Sequence, residues 1–251
     1  SNSDYFSIFH TNICSLQSNF DNLEILVNEL DINFDIIALS ETWNPENKKH
    51  LFQSPILENY QPLKTLTGSS AKSGVGIYIH NNLNFIARTD LDFKYFLKDK
   101  EEYEGLWIEI SRINSPNIIV GVIYRHPSQI DSKFNLTLKN TLKNISKESD
   151  KLVAITGDFN LDLLKYNEDS KVSKFLNTML ENHFHPSITE PTRITDLSNP
   201  SLIDNIFINF PSHNFAGNIL EKISYDHLPN FLIFETTNDT KNDSPMTYRD
   251  L

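Results

Sequence analysis

The sequence predicts an α/β fold: a four-layer sandwich of two packed mixed β-sheets flanked by helices, in a single domain. Three observations point there. Short apolar, β-branched runs outnumber the stretches with helical periodicity. The helical stretches fall between strands only some of the time, which calls for mixed sheets. The chain has 251 residues, 39% of them apolar, enough for one substantial core. It shows no internal repeat, low-complexity tract or domain linker.

Residues 5–13 read as a strand with Asn12 near its end. Phe20, Leu23, Val27 and Leu30 recur on one face of a helix, with Asp21 expected in its first turn. Asp35 to Leu39 is a short apolar strand that runs into Ser40-Glu41-Thr42-Trp43. Residues 44–72, with Pro45, Pro55 and Pro62, read as a long surface loop. Gly74 to His80 and residues 83–87 are strands across an Asn81-Asn82 turn. Residues 90–103 are charged and expected to be exposed, and Leu106 to Ile110 alternates as a half-buried strand. Ile118 to Tyr124 is almost continuously apolar and reads as central. Phe134, Leu138, Leu142 and Ile145 mark a second helix, and Val172, Phe175, Leu176, Met179 and Leu180 a third. Between them lies the run Val153 to Thr156, which Gly157 is expected to let the chain leave sharply. Leu202 to Ile208 is a strand carrying Asp204, Phe215 to Ile223 a weaker one, and Leu228 to Phe234 the last. The domain is assigned to residues 1–238, with 239–251 a polar tail or the start of a linker.

The net charge of −11, taken alone, argues against a nucleic-acid partner. A metal site needs carboxylates, however, and a local basic patch can sit on an acidic surface. The lone Cys14 excludes an intramolecular disulfide and a cysteine-based zinc site, and fits a reducing, intracellular compartment. No apolar run approaches the ~18 residues of a membrane span, so no membrane partner is expected.

A polar set recurs at strand ends. Asn12, Glu41, Tyr124, Asp158, Asn160 and the Asp226-His227 pair lie at or just beyond them, and Asp204 lies within a strand. If these ends share one edge, the side chains converge. Several carboxylates share a small space only when a cation or a proton relieves their repulsion. An oxygen-rich set with little His suits a hard cation such as Mg²⁺. Taken singly, most of these residues read as turns, solvated ends or core. Taken together they read as a site.

This arrangement resembles the endonuclease/exonuclease/phosphatase superfamily. The resemblance rests on Thr11-Asn12-Ile13, Leu39-Ser40-Glu41-Thr42, Val122-Ile123-Tyr124-Arg125, Gly157-Asp158-Phe159-Asn160, Leu202-Ile203-Asp204-Asn205 and Asp226-His227, in that order over nearly the whole chain. Within it the chain looks most like the apurinic-type endonuclease domain of non-LTR (long interspersed) retrotransposons. Ser40-Glu41-Thr42-Trp43, Gly121 to Pro127, Glu190-Pro191-Thr192-Arg193-Ile194-Thr195 and Ser201 to Phe207 carry that likeness. Two departures stand out: Tyr225 precedes Asp226-His227 where the family usually has Ser, and Asp204 is followed by Asn205 where His is common.

The resemblance implies a Mg²⁺-dependent endodeoxyribonuclease, with Mn²⁺ as a substitute. It would nick one strand of double-stranded DNA by phosphodiester hydrolysis. The freed 3′-hydroxyl would prime a reverse transcriptase on the same retrotransposon polyprotein, in the nucleus. Glu41, with Asn12 and Asp226, would hold the metal, and Asp158 would orient and deprotonate water. Asn160, His227, Tyr124, Thr192 and Tyr225 would meet the phosphate, with Asp204 buttressing His227. Target choice would reside in loops 190–200 and 209–218, with Pro211 and Phe215 as candidates. Two alternatives are a phosphomonoesterase of the inositol phosphate type on the same fold, and a non-catalytic DNA-binding relic. Leu161 after Asn160 argues against the former, since such phosphatases typically place Arg there.

Overall fold

A computed structural model describes residues 5–43, 54–67, 72–97, 101–127, 131–195, 199–210, 214–221, 223–224 and 226–236. Residues 44–53 and 68–71 of the expected 44–72 loop, Pro211, Tyr225 and the 239–251 tail lie outside the described residues.

The strands form two sheets. One runs β12 (Asn214–Asn218), β13 (Asn230–Glu235), β1 (Tyr5–Asn12), β2 (Ile36–Ser40), β4 (Val75–Ile79), β3 (Lys64–Leu66). The other runs β10 (His185–Pro186), β11 (Asp204–Ile208), β9 (Leu152–Asp158), β8 (Ile118–Arg125), β7 (Glu101–Ile110), β5 (Phe85–Ala87), with β6 (Phe93–Leu97) also on β7. Both sheets are mixed: β1 and β2 are parallel, as are β8 and β9, while the pairings outside them are antiparallel.

Two-residue alternation sorts the apolar side chains into three layers. Ile8, Ile36, Ile77, Val120, Ala154 and Ile206 face inward and pack sheet against sheet. Their neighbours Phe9, Ile37 and Tyr78 face outward under helix α1 (Leu16–Glu29). Ile119, Val153 and Phe207 face outward on the other side, under α2 (Asp131–Ile145) and α3 (Ser170–Glu181). Helix, sheet, sheet, helix is the expected four-layer sandwich.

Several local expectations change. Helix α1 begins at Leu16, capped by the Ser15 hydroxyl, which accepts from Ser18 N at 3.3 Å, so Asp21 falls beyond the first turn. The expected loop 44–72 contains β3, held by β4. The charged stretch 90–103 contains β6 and the start of β7, with Leu91 and Tyr103 buried. Strand β7 is buried from Tyr103 to Ile110 rather than alternating, because sheet and helices cover both its faces. Strand β12 stops at Asn218, short of Ile223. Strand β9 does not end at Gly157 but continues through Asp158. Gly157 is required there for another reason. Its φ is +149°, and a Cβ would sit 1.8 Å from the Ile123 carbonyl oxygen of β8.

Candidate active site

The inner stripe is apolar along most of its length and polar at one end. On β1 the inward face runs from Ile8 to His10 and Asn12, and on β2 from Ile36 and Ala38 to Ser40. On β8 it reaches Tyr124, and on β9 it passes from Ala154 to Thr156 and Asp158. These strands deliver their C-terminal ends to that edge. Strands β11 and β13 run the other way and deliver their beginnings. Asp204, expected inside a strand, is the first residue of β11 and sits directly opposite Asp158. His227 lies just before β13, whose Asn230 is opposite His10. The site is therefore the polar continuation of the inter-sheet core.

Glu41 and Asn160 follow the ends of β2 and β9. Both hold left-handed backbone, with φ of 53° and 48°, a conformation that costs energy for residues with a Cβ. Asn12 links the two halves of the edge. Its Nδ2 donates to Glu41 Oε1 at 3.0 Å and to Asp158 Oδ2 at 2.9 Å. The Cys14 N–H donates to Asn12 Oδ1 at 3.2 Å, which fixes the amide's orientation. Asn12, expected as a metal ligand, thus presents its N–H groups to the two carboxylates. Trp43 Nε1 donates to the other Glu41 oxygen, Oε2, at 3.1 Å.

Asn160 also serves Asp158. Its Nδ2 donates to Asp158 Oδ2 at 3.2 Å and to the Arg125 carbonyl at 2.8 Å, and its backbone N–H to Asp158 Oδ1 at 2.9 Å. Its Nδ2 hydrogens, expected at the phosphate, point at these two protein acceptors. Tyr124 is buried and hydrogen-bonded to Glu41. Burial, then the charges of Glu41 and Asp158, push its phenol far above the ordinary value, so it stays a neutral donor. Thr192, expected at the phosphate, is fully buried, and its hydroxyl accepts from Ile203 N at 3.2 Å and Asp204 N at 3.0 Å. It braces the start of β11 and does not line the surface. Phe215 is exposed on the edge strand β12, in the expected target-reading region.

His227 Nδ1 lies 2.9 Å from Asp204 Oδ2, and both residues are buried. Burial alone would lower the imidazole's pKa. The charge of Asp204 and its hydrogen bond, with the charges of Asp158 and Asp226, raise it to about 9. Asp158 moves the same way for a different reason: burial, then the like charge of Asp204, lift its carboxyl well above the usual range. His10, one step deeper, contacts Ser40 Oγ at 3.1 Å, and burial lowers its pKa to about 4. Asp226, expected on the metal, is held by Arg193, whose Nε is 2.7 Å from Asp226 Oδ2.

Three residues at this edge escaped the sequence reading: Trp43, Arg125 and Arg193. Arg125 is buried and donates to the carbonyls of Phe159 and Asn160, both at 3.3 Å. All three stand inside motifs already singled out, within two residues of Glu41, Tyr124 and Thr192, so adjacency was the available signal.

The ligand atoms of Asp158, Asp204 and His227 lie within 4.8 Å of one another, a set that can hold a metal ion. Asp204 Oδ1 is buried with no hydrogen-bond partner, so its second oxygen remains to be satisfied. The oxygen-rich chemistry of the whole edge fits a hard divalent cation.

No family profile and no curated protein matches this sequence. Solved structures do match. The AP endonuclease LMAP of Leishmania major superposes with a TM-score of 0.69 at 11% identity, covering 94% of this chain and 89% of that one. The endonuclease domain of TRAS1, a telomere-specific non-LTR retrotransposon, gives 0.61 at 13%, covering 92% and 99%. The catalytic domain of Xenopus laevis APE2 gives 0.63 at 18%, covering 92% of each. The fold is that of the endonuclease/exonuclease/phosphatase proteins.

Proposed function

We propose that this chain is the endonuclease domain of a non-LTR retrotransposon, a Mg²⁺-dependent enzyme that nicks one strand of double-stranded DNA. One observation carries the reading. The edge assembles a buried carboxylate flanked by Asn12 and Asn160, an Asp204–His227 pair, and a Glu41 braced by Asn12, Trp43 and Tyr124. Solved nuclease structures with this fold, including a retrotransposon endonuclease, support it.

The set Asp158, Asp204 and His227 could hold the cation by geometry, and Glu41 is the position the family resemblance implies. We place it at Glu41. His227 Nδ1 is engaged by Asp204 Oδ2 at 2.9 Å, and Asp158, held by Asn12 and Asn160, is needed free. Bound there, Mg²⁺ would neutralise charge on the phosphate and the leaving oxygen.

The protein's own groups do the rest. Asp158, its raised pKa suited to taking a proton near neutrality, orients and deprotonates the attacking water. Asn12 and Asn160 fix its carboxylate. His227, oriented through Nδ1 by Asp204, donates from Nε2 to a phosphoryl oxygen as charge builds there. Tyr124 holds Glu41 rather than touching the phosphate. The product strand keeps a 3′-hydroxyl, which a reverse transcriptase on the same polyprotein extends in the nucleus.

The test is nicking of supercoiled plasmid in Mg²⁺ or Mn²⁺, with Glu41→Ala alongside, followed by polymerase extension of the nick without end repair. Open circles that extend directly, and none from the variant, are expected. No nicking by the wild type in either metal, or equal nicking by Glu41→Ala, would overturn the reading.

A further inference from the structure

We infer that Arg193 is the phosphate-binding cation at the mouth of this site, and that Asp226 is its holder rather than a metal ligand. The inference rests on the nuclease reading above.

Charge makes such a group necessary. The chain carries −11 overall, and Glu41, Asp158, Asp204 and Asp226 gather at one edge. A phosphodiester entering there meets further negative charge, so binding needs fixed cations close by. His227 is one, buried behind Asp204. Arg193 is another, and the charges of Asp226, Asp158 and Asp204 all act on its guanidinium.

Backbone places it. Arg193 pairs antiparallel with Ser201 on one side and with His227 on the other. Its N–H donates to Ser201 O at 2.9 Å, and its carbonyl accepts from Ser201 N at 3.0 Å. On the His227 side, Leu228 N donates to Thr192 O at 2.7 Å and Ile194 N to Asp226 O at 2.8 Å. Residues directly opposite in an antiparallel pair put their side chains on the same face. Arg193 therefore emerges beside the imidazole, from a segment held along both edges.

The side chain is aimed as well as placed. Asp226 takes the Nε–H at 2.7 Å, which fixes the plane of the guanidinium and leaves its terminal N–H fork for an oxyanion. Exposure agrees: the Arg193 side chain is 41% accessible, whereas that of Asp226 is 12%. An Arg that only tied two loops together would bury its fork between them. The geometry also gives Asp226 a partner: one of its oxygens is on Arg193 and the other is 3.9 Å from His227 Nε2.

The experiment is steady-state nicking over a salt series with wild type, Arg193→Gln, Arg193→Lys and Asp226→Asn, with thermal midpoints as a folding check. Arg193→Gln is expected to raise KM by ~10-fold or more, the worth of a charge-assisted contact, with kcat nearly kept. Its slope of log(1/KM) against log salt should become shallower by roughly 0.9, one phosphate contact. Arg193→Lys, which keeps the charge, should restore the slope though not the full KM. Asp226→Asn should leave the Mg²⁺ concentration for half-maximal rate within ~3-fold of wild type. Unchanged KM and slope in a folded Arg193→Gln would overturn the phosphate role while leaving the nuclease reading intact. A large rise in the Mg²⁺ requirement of Asp226→Asn would overturn the holder role, and this arm stands even if Arg193→Gln fails to fold. A wild type that never nicks sinks the nuclease reading and this inference together.

Discussion

A buried carboxylate with charged neighbours sits at each end of the second sheet, Glu109 at one and Asp158 at the other, and the two are built on opposite principles. At the far end, Arg88 contacts Glu109 at 2.8 Å, Asp90 at 2.8 Å and Glu148 at 2.5 Å, and Lys151 contacts Glu109 at 2.8 Å and Glu148 at 2.6 Å. Asn117 adds a bond to Glu109 at 2.7 Å. Burial alone would raise the Glu109 carboxyl, but its bonds from Lys151, Asn117 and Arg88 hold it below the ordinary value. Glu148 is likewise lowered, first by Arg88. At the near end Asp158 is also buried but faces Asp204, and burial together with that like charge sends its pKa up. Burial of acids is common to both ends. What marks the candidate site is unbalanced charge, which the proposed entry of a cation and a phosphate would relieve.

The comparison can be broken or sharpened by substitution. The largest effect is expected from Asp158→Asn. Nicking should fall by ~10³-fold or more as the base is lost. The thermal midpoint in EDTA should rise, because a repelled buried charge becomes a neutral amide. A fall in that midpoint would mean the charge is already balanced. Next comes Arg88→Met at the far end. It takes from Glu109 and Glu148 one of the two cations they share, leaving Lys151, and should cost about 1.5–3 kcal/mol in denaturant unfolding, with the nicking rate per folded molecule unchanged.

Asp204→Asn should be smaller, about 10²-fold in kcat, as His227 loses its orienting partner. It also has a pH signature in metal-free buffer. The folded His227 pKa, about 9, lies above its unfolded value near 6.5. The stability it contributes is fully present below pH 6.5 and is lost as pH rises through about 9. The wild type's advantage over Asp204→Asn should therefore be widest below pH 6.5 and shrink toward pH 9, as followed by urea unfolding across that range.

The architecture was legible because alternation and β-branched runs state which face of each strand is inner. The convergence at one edge was legible for the same reason: Asn12, Tyr124 and Asp158 share the parity of their inward apolar neighbours. Strand direction was not, so Asp204 looked internal when β11 in fact begins with it. Charged stretches misled where partners lie far off in sequence. The alternation of Leu106 to Ile110 suggested an exposed face carrying Glu109, and the cations that meet the buried Glu109 come from residues 88 and 151. Side-chain direction inside a loop leaves no periodic trace, which is why Thr192 was expected outward and Arg193 passed unread. Gly157 was taken as a strand breaker, whereas the need is close approach to Ile123.

The most direct test of the central claim, that the near-end cluster is built to receive a cation at Glu41, uses no catalysis at all. Thermal midpoints of wild type and Glu41→Gln would be measured in EDTA and in saturating Mg²⁺. Binding to the folded state alone raises stability by mass action, so the wild-type midpoint should climb with Mg²⁺ and that of Glu41→Gln should not. An unmoved wild type, or an equal rise in both, would contradict the account.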